Sequence, residues 1–280
     1  MKKVLVPTDF SDNSIDALQY AINIFEDIPG KFYILNTFTV GASRTSTLKN
    51  QSRDTHLYQL MLEESQNSFV ELRKKLSANL NNDKHEYITL SQAGRLTDVI
   101  SYLIDKKQID LVVMGTTGAS GLKKLFGSNT VEIINHVDNC PVLSVPLGFR
   151  FQYLERVLFA TDFKRDFKEE NVRLLKELQL IHNFSLTMAW VNKESLLDEI
   201  QLQHKANLAK LLYGHNFKFE ELIFDQSITN TIETYAKKEN LNLISLVKYE
   251  HNFIEFLTHE AVINEISFSS KIPLLILPEN

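Results

Sequence analysis

Short apolar runs alternate along the first half of the chain with longer stretches in which apolar residues recur every three or four positions. VLVP (4–7), FYILNTF (32–38), HEYITL (85–90), DLVVM (110–114) and PVLSV (141–145) read as strands, rich in Val, Ile and Leu and bounded by turn residues. Ser11 to Phe25, His56 to Leu80, Leu96 to Lys107 and Ser128 to Val137 carry the helical spacing, with Ser11 and Ser128 placed as N-caps. Strict alternation of strand and helix predicts an α/β fold, with crossovers that build a parallel sheet covered on both faces. Ligands of such sheets bind beyond the carboxyl ends of the strands, where the strand order reverses. Asp9, Asn36 to Thr39, Gly94 and the stretch after strand four are all expected on that edge.

The pattern then repeats. VLVPTDFSDN (4–13) returns as VLFATDFKRD (157–166), pairing Asp9 with Asp162, and IDLVVMG…CPVLSVP returns as LNLISLV…IPLLILP, pairing Pro141 and Pro146 with Pro273 and Pro278. The offset falls from 153 to 132 between the two matches, so the second copy is about 21 residues shorter. The polar stretch GASRTSTLKNQSRDTH (41–56) is the expected site of the loss, and its composition suits either a lid over the site or a disordered loop. Two related domains follow, 1–147 and 150–280, each a five-stranded parallel sheet with helices on both faces.

Composition narrows the function. A net charge of −5 and the lack of a basic stripe argue against nucleic-acid binding. No window approaches the ~18 apolar residues of a membrane helix, and the lone Cys140 excludes an intramolecular disulfide. A cytoplasmic protein is expected, and Cys140 reads as a small buried residue rather than a catalytic thiol.

The candidate chemistry lies in MGTTGASGLKKLFGSNT (114–130), which holds four of the nine glycines. A phosphate site needs backbone N–H groups turned into a concavity, little side-chain bulk and a helix N-terminus. GTTGASG leaves strand four with small residues, and GSNT opens the next helix. The run lacks the Gly-Lys-Ser/Thr of a P-loop, and the dinucleotide fingerprint would stand after strand one, where PTDF is found. Asp9 could serve a ribose or a metal on the phosphates, or cap the helix that begins near Ser11.

VLVPTDFSDNSIDAL together with VVMGTTGASGLKKLFGSNTVEIINHVDNCPVLSVP resembles the universal stress protein family in its tandem, two-domain form, strongly over 1–147 and more weakly over 150–280. The resemblance implies two Rossmann-like domains of the adenine nucleotide alpha hydrolase type, with ATP, alone or with Mg²⁺, as the ligand of the first. It also implies the site residues. Pro7 and Thr8 would line the adenine, Asp9 would contact the ribose, and Thr37 would offer backbone to the base. Met114, Gly115, Gly118, Gly127, Ser128, Asn129 and Thr130 would complete the site around the phosphates. ASGLKKLF leaves eight residues between Gly118 and Gly127, where the family's ATP-binding pattern has nine; Gly121 supplies slack for the shorter turn. The family's domains dimerise through their final strands, so PVLSV (141–145) is expected against PLLIL (273–277) in an intramolecular pseudo-dimer, with a homodimer of chains as a further option.

The second copy acts as an internal control. Val247, Glu250, His259 and Glu260 stand where the first copy has Gly115, Gly118, Gly127 and Ser128, so the second domain is not expected to bind ATP in the same way. Asp162 persists there without the glycines, which favours a structural role for this position. Glu250, His251, His259 and Glu260 have the residue types of a metal site but read more simply as solvated polar residues. No general base, nucleophile triad or metal cluster is visible. ATP turnover should therefore be slow at most, and a nucleotide-responsive stress regulator is expected, the alternative being an interaction module with both sites decayed.

Overall fold

The computed structural model describes residues 1–40, 48–77, 80–116, 128–192, 196–248 and 272–279, with backbone alone for 48–54 and 128. In the first half β1 (Lys2–Pro7), α1 (Asp12–Ile24), β2 (Gly30–Phe38), α2 (Leu48–Lys75), β3 (His85–Ala93), α3 (Leu96–Lys107), β4 (Leu111–Gly115), α4 (Ser128–His136) and β5 (Val142–Val145) follow in order. The second half continues with β6 (Arg156–Ala160), α5 (Glu169–His182), β7 (Ser185–Asn192), α6 (Glu199–Leu211), β8 (Phe217–Ile223), α7 (Ile228–Glu239), β9 (Leu243–Val247) and β10 (Leu274–Leu277).

The ten described strands form one sheet in the order β3-β2-β1-β4-β5-β10-β9-β6-β7-β8. Every neighbouring pair is parallel except β5 and β10, which meet antiparallel with Leu143 opposite Leu275. The two halves are thus joined edge to edge through their last strands. Ser144, buried, sends its hydroxyl across this seam to Leu274 O at 3.3 Å. In each half the order reverses beside the first strand, between β1 and β4 and again between β6 and β9.

The alternation of side chains along each strand sorts the core into two layers. Val4, Val6, Phe32 and Ile34 point to one face, where α1 and α2 cover them with Ile15, Leu18, Phe69 and Leu72. Leu5, Tyr33, Leu35 and Val112 point to the other, under Ile100 and Ile104 of α3 and Ile133 and Ile134 of α4. Both layers run on through the second half.

Two expectations need correction. The segment 48–56 is not a loop, because α2 begins at Leu48 and runs for 28 residues. A helix of that length spans ~42 Å, whereas nine-residue β2 spans ~30 Å. Tyr58 packs on Phe38 at the end of β2, so the turns before Tyr58 rise past the carboxyl edge of the sheet, where no core face demands apolar residues. Residues 41–47 lie outside the described residues. Most of the shortening of the second copy falls in the same helix, since α6 has only 13 residues.

The second correction concerns register. The pairing of VLFATDFKRD with VLVPTDFSDN holds through Phe163 and then slips: α1 starts three residues past Asp9, α5 seven past Asp162. The four extra residues form a longer turn before α5.

Candidate functional site

The reversal between β1 and β4 brings the end of β1, the end of β2 and the end of β4 to one opening. β1 leaves its pairing with β2 at Pro7, opposite Leu35. Thr8 is buried, and its N–H donates to Leu35 O at 2.7 Å. Its hydroxyl is occupied as well, paired with Ser14 Oγ at 2.8 Å and accepting from Phe10 N at 2.9 Å. Thr8 therefore offers a candidate ligand its position on the wall rather than a free hydroxyl.

Asp9 is exposed, and its Oδ1 accepts from Ser11 N at 3.1 Å and from Ser11 Oγ at 2.5 Å. Ser11 is the N-cap of α1, its oxygen accepting from Ser14 N. Asp9 thus holds the capping residue and is not itself the cap. Phe10 takes a left-handed φ of 62° to make the turn, a conformation that costs a bulky residue strain.

Thr37 is half-buried, and the alternation of backbone groups fixes where its own face. Even-numbered residues at the two ends of β2 bond to β3, as in Gly30 N to Lys84 O and Gly94 N to Phe38 O, while Leu35 O receives Thr8 N on the other side. Thr37 follows Leu35 in that odd series. Its N–H and C=O therefore point toward β1 beyond the residue at which β1 turns away. Asn36, beside it, donates from Nδ2 to Thr8 O at 2.8 Å and pins the two strand ends together. Sequence patterning placed Asn36 at the strand end but gave it no role, because a side-chain bond to another strand's turn has no signature in spacing.

On the β4 side Met114 is buried and Gly115 half-buried. Buried Thr130, in the first turn of α4, donates from Oγ1 to Gly115 O at 2.9 Å and ties the helix start to the strand end. Asn129 is exposed next to it, and α4 opens at Ser128. Gly118, Gly121, Gly127, Lys123 and Lys124 lie outside the described residues, as do Glu250, His251, His259 and Glu260 of the second half. Gly115 also has a packing reason to be glycine. A Cβ there would stand 2.4 Å from Asn13 Oδ1 and 2.8 Å from Asn13 O, because the start of α1 is pressed against β4. Asn13 donates from Nδ2 to Val145 O at 3.3 Å, holding that approach.

The second half repeats the turn. Thr161 N donates to Ala189 O, Phe163 N to Thr161 Oγ1 at 3.1 Å and Lys164 N to Asp162 Oδ1 at 3.0 Å, and Phe163 has φ 55°. The Thr-Asp-Phe turn is therefore a structural unit of the fold. Above it, however, Gln201 of α6 donates to Asp162 O and His204 Nδ1 to Phe163 O, each at 2.8 Å. Trp190, at the β7 position that matches Asn36, packs edge-on against Phe163, with ring centroids 5.8 Å apart. The Lys205 ammonium sits 3.9 Å from the Trp190 centroid and 4.6 Å from that of Phe219. Among the described residues, α6 and Trp190 thus cover the Thr-Asp-Phe turn of this half.

Cys140 is buried with its Sγ against Ile109 O, and burial pushes its thiol up to about 12, so it stays protonated and inert. Among the described residues no three His, Cys, Asp or Glu side chains cluster as metal ligands, and no helix is long and apolar enough to cross a membrane.

Residues 1–146 match the family model described as the universal stress protein family. A universal stress protein of Methanocaldococcus jannaschii is 31% identical over 144 residues, covering 51% of this chain and 81% of that one. One of Synechocystis is 24% identical over 292 residues, covering 98% of this chain and 99% of the other, so the two-domain length is shared. Among solved structures, a universal stress protein of Archaeoglobus fulgidus superposes over 99% of this chain and 98% of its own with a TM-score of 0.69 at 16% identity, a likeness of fold.

Proposed function

From the membership of this chain in the universal stress protein family, in its tandem form, we propose that its first half binds ATP, alone or with Mg²⁺, and that the protein is a nucleotide-responsive stress regulator of the cytoplasm. One observation carries this reading: at the β1/β4 reversal, Asp9, the backbone of Thr37 and the first turn of α4 converge on one opening, and Thr130 locks that turn to Gly115. The groups fit an adenine nucleotide. Thr37 offers an amide and a carbonyl at the depth of a base, Asp9 stands exposed for a ribose, and the N–H groups of Ser128, Asn129 and Thr130 open α4 for phosphates. A nucleotide would engage the helix through charge and backbone donors, with no side chain among the described residues arranged as a general base.

In this reading 1–147 is the nucleotide-binding domain and 150–280 its degenerate partner. The β5–β10 seam then serves as an intramolecular pseudo-dimer contact, removing two sheet edges at once. A second reading, an interaction module without nucleotide, draws on two observations. Gly115 has a packing reason in Asn13, and the Asp9 turn recurs in the half that lacks the matching glycines.

Equilibrium titration of the full chain with ATP separates the two. Saturable binding in the micromolar to millimolar range is expected, with a loss of at least tenfold in Asn129→Glu. That substitution adds a carboxylate to an exposed first-turn position where it favours the helix and repels phosphate. No binding at millimolar ATP sinks the proposal, and unchanged binding by Asn129→Glu removes α4 from the site.

A further inference from the structure

The sheet has two outer edges, and they are built differently. β8 reads FKFEELI, with Lys218, Glu220 and Glu221 guarding it against other strands. β3 lies at the opposite end, pairs only with β2, and from Ile88 to Ala93 reads ITLSQA, with no charge, proline or glycine. Glu86, earlier in the strand, is held by Lys31 at 2.8 Å.

The bonding register tells which groups β3 leaves open. Gly30 N donates to Lys84 O and Gly94 N to Phe38 O, so the even-numbered residues of β3 face β2. Tyr87, Thr89 and Ser91 consequently turn both N–H and C=O outward, three donors and three acceptors in the spacing that an added strand requires. A groove of about 410 Å³ runs beside this edge, with α2 as its other wall. α2 contributes Leu62, Val70 and Arg73 to it, one helical stripe at spacings of eight and three. Val70 is 52% exposed, a large apolar side chain with nothing over it among the described residues. Arg73 is exposed and forms no ion pair among the described residues.

We infer that this groove binds an extended, acidic segment of a partner protein by strand addition to β3. The backbone of Tyr87, Thr89 and Ser91 supplies the hydrogen bonds, Leu62 and Val70 take apolar side chains from alternate positions, and Arg73 pairs with a carboxylate. Arg73, without an ion pair among the described residues, decides between occupants. From its β3 a second copy of the chain would bring one acidic residue, Glu86, already paired with Lys31, whereas an acidic partner satisfies Arg73 directly.

Fluorescence anisotropy tests the site with two labelled probes on the intact chain: a nonapeptide alternating Thr and Val that ends in two Glu, and its twin ending in two Lys. The Glu probe is expected to bind at least tenfold more tightly than the Lys probe. Thr89→Pro removes one outward N–H without breaking a β2 bond and should weaken the Glu probe at least tenfold. Arg73→Glu should reverse the preference, and it is exposed, so this arm decides the matter even where the proline variant fails to fold. Equal binding of both probes, no binding of either, or an unchanged preference in Arg73→Glu overturns the inference. Concentration-dependent dimers of the parent chain that Thr89→Pro abolishes overturn it too, and assign the edge to a second copy.

Discussion

Asn13 and Gly115 stand so close that no side chain fits between them: a Cβ on Gly115 would lie 2.4 Å from Asn13 Oδ1 and 2.8 Å from its carbonyl oxygen. The second of these atoms is backbone, so rotating Asn13 does not relieve the clash. Gly115→Ala is expected to cost about 1–3 kcal/mol, the range of overpacking in a tight site, read as a lower urea midpoint at an unchanged slope. Nucleotide titrations of Gly115 variants will therefore report folding as much as phosphate contact, and Asn129 is the cleaner probe. The second half has buried Val247 at this place, and there α5 starts four residues later relative to its Thr-Asp-Phe turn.

Ser245 gives a substitution in the stabilising direction. It lies at the centre of β9, between Phe159 and Leu275, fully buried, and its hydroxyl has no hydrogen-bond partner among the described residues. Val113 occupies the equivalent place in β4. Ser245→Val is expected to raise stability by about 1 kcal/mol, since an unpaired buried hydroxyl is exchanged for apolar contact. A lower thermal midpoint would mean that β9 has no room for the added methyl group.

Trp190 is the chain's only tryptophan, which makes the second half separately visible. Lys205→Met removes the ammonium over its ring, should cost about 0.5–1 kcal/mol, and should change the emission spectrum in the folded state. ATP is expected to leave Trp190 emission unchanged in the parent chain, because α6 covers the Thr-Asp-Phe turn of the second half. A saturable change in emission on adding ATP would place a nucleotide in the wrong half.

Stability should also depend on pH through His182. Its Nε2 donates to Ile24 O at 2.9 Å, joining α5 to the end of α1 across the two halves. Burial lowers its pKa, only partly opposed by that bond and by Asp27, while the facing rings of Phe151 and Tyr153 carry no charge. His215, bonded to Gln179, is lowered by burial and by Lys176, against Glu169. The unfolded chain then binds protons more readily than the folded one. The contribution is intact above the unfolded histidine value of ~6.5 and is lost as pH falls from there through the lower folded values. Urea midpoints between pH 8 and 5 should fall in this direction, and His182→Gln, which keeps a donor for Ile24 O, should flatten the slope.

Local pattern determined much of this molecule. Apolar runs and helical spacing located the elements of the first half to within a few residues, and α3 at Leu96–Lys107 to the residue, because each element must bury one face whatever it packs against. The internal repeat located the final strands that meet at the seam, and the loss of glycine in the second copy set the two halves apart. The α2 start at Leu48 was illegible, since turns that project past the sheet need no apolar stripe.

Tertiary structure alone decided the relations between residues distant in sequence. Asn13 reaches Gly115 across about a hundred residues, which gives that glycine a packing reason beside the phosphate role expected of it. Asn36 found its role only once β1 and β2 lay side by side. The cover of the second Thr-Asp-Phe turn by Trp190, Gln201, His204 and Lys205 depends on how a short α6 settles over its sheet. Periodicity reports what each residue does toward its own element's buried face. Which groups face one another across an opening follows from strand order and helix register, and those are fixed only when the whole sheet assembles.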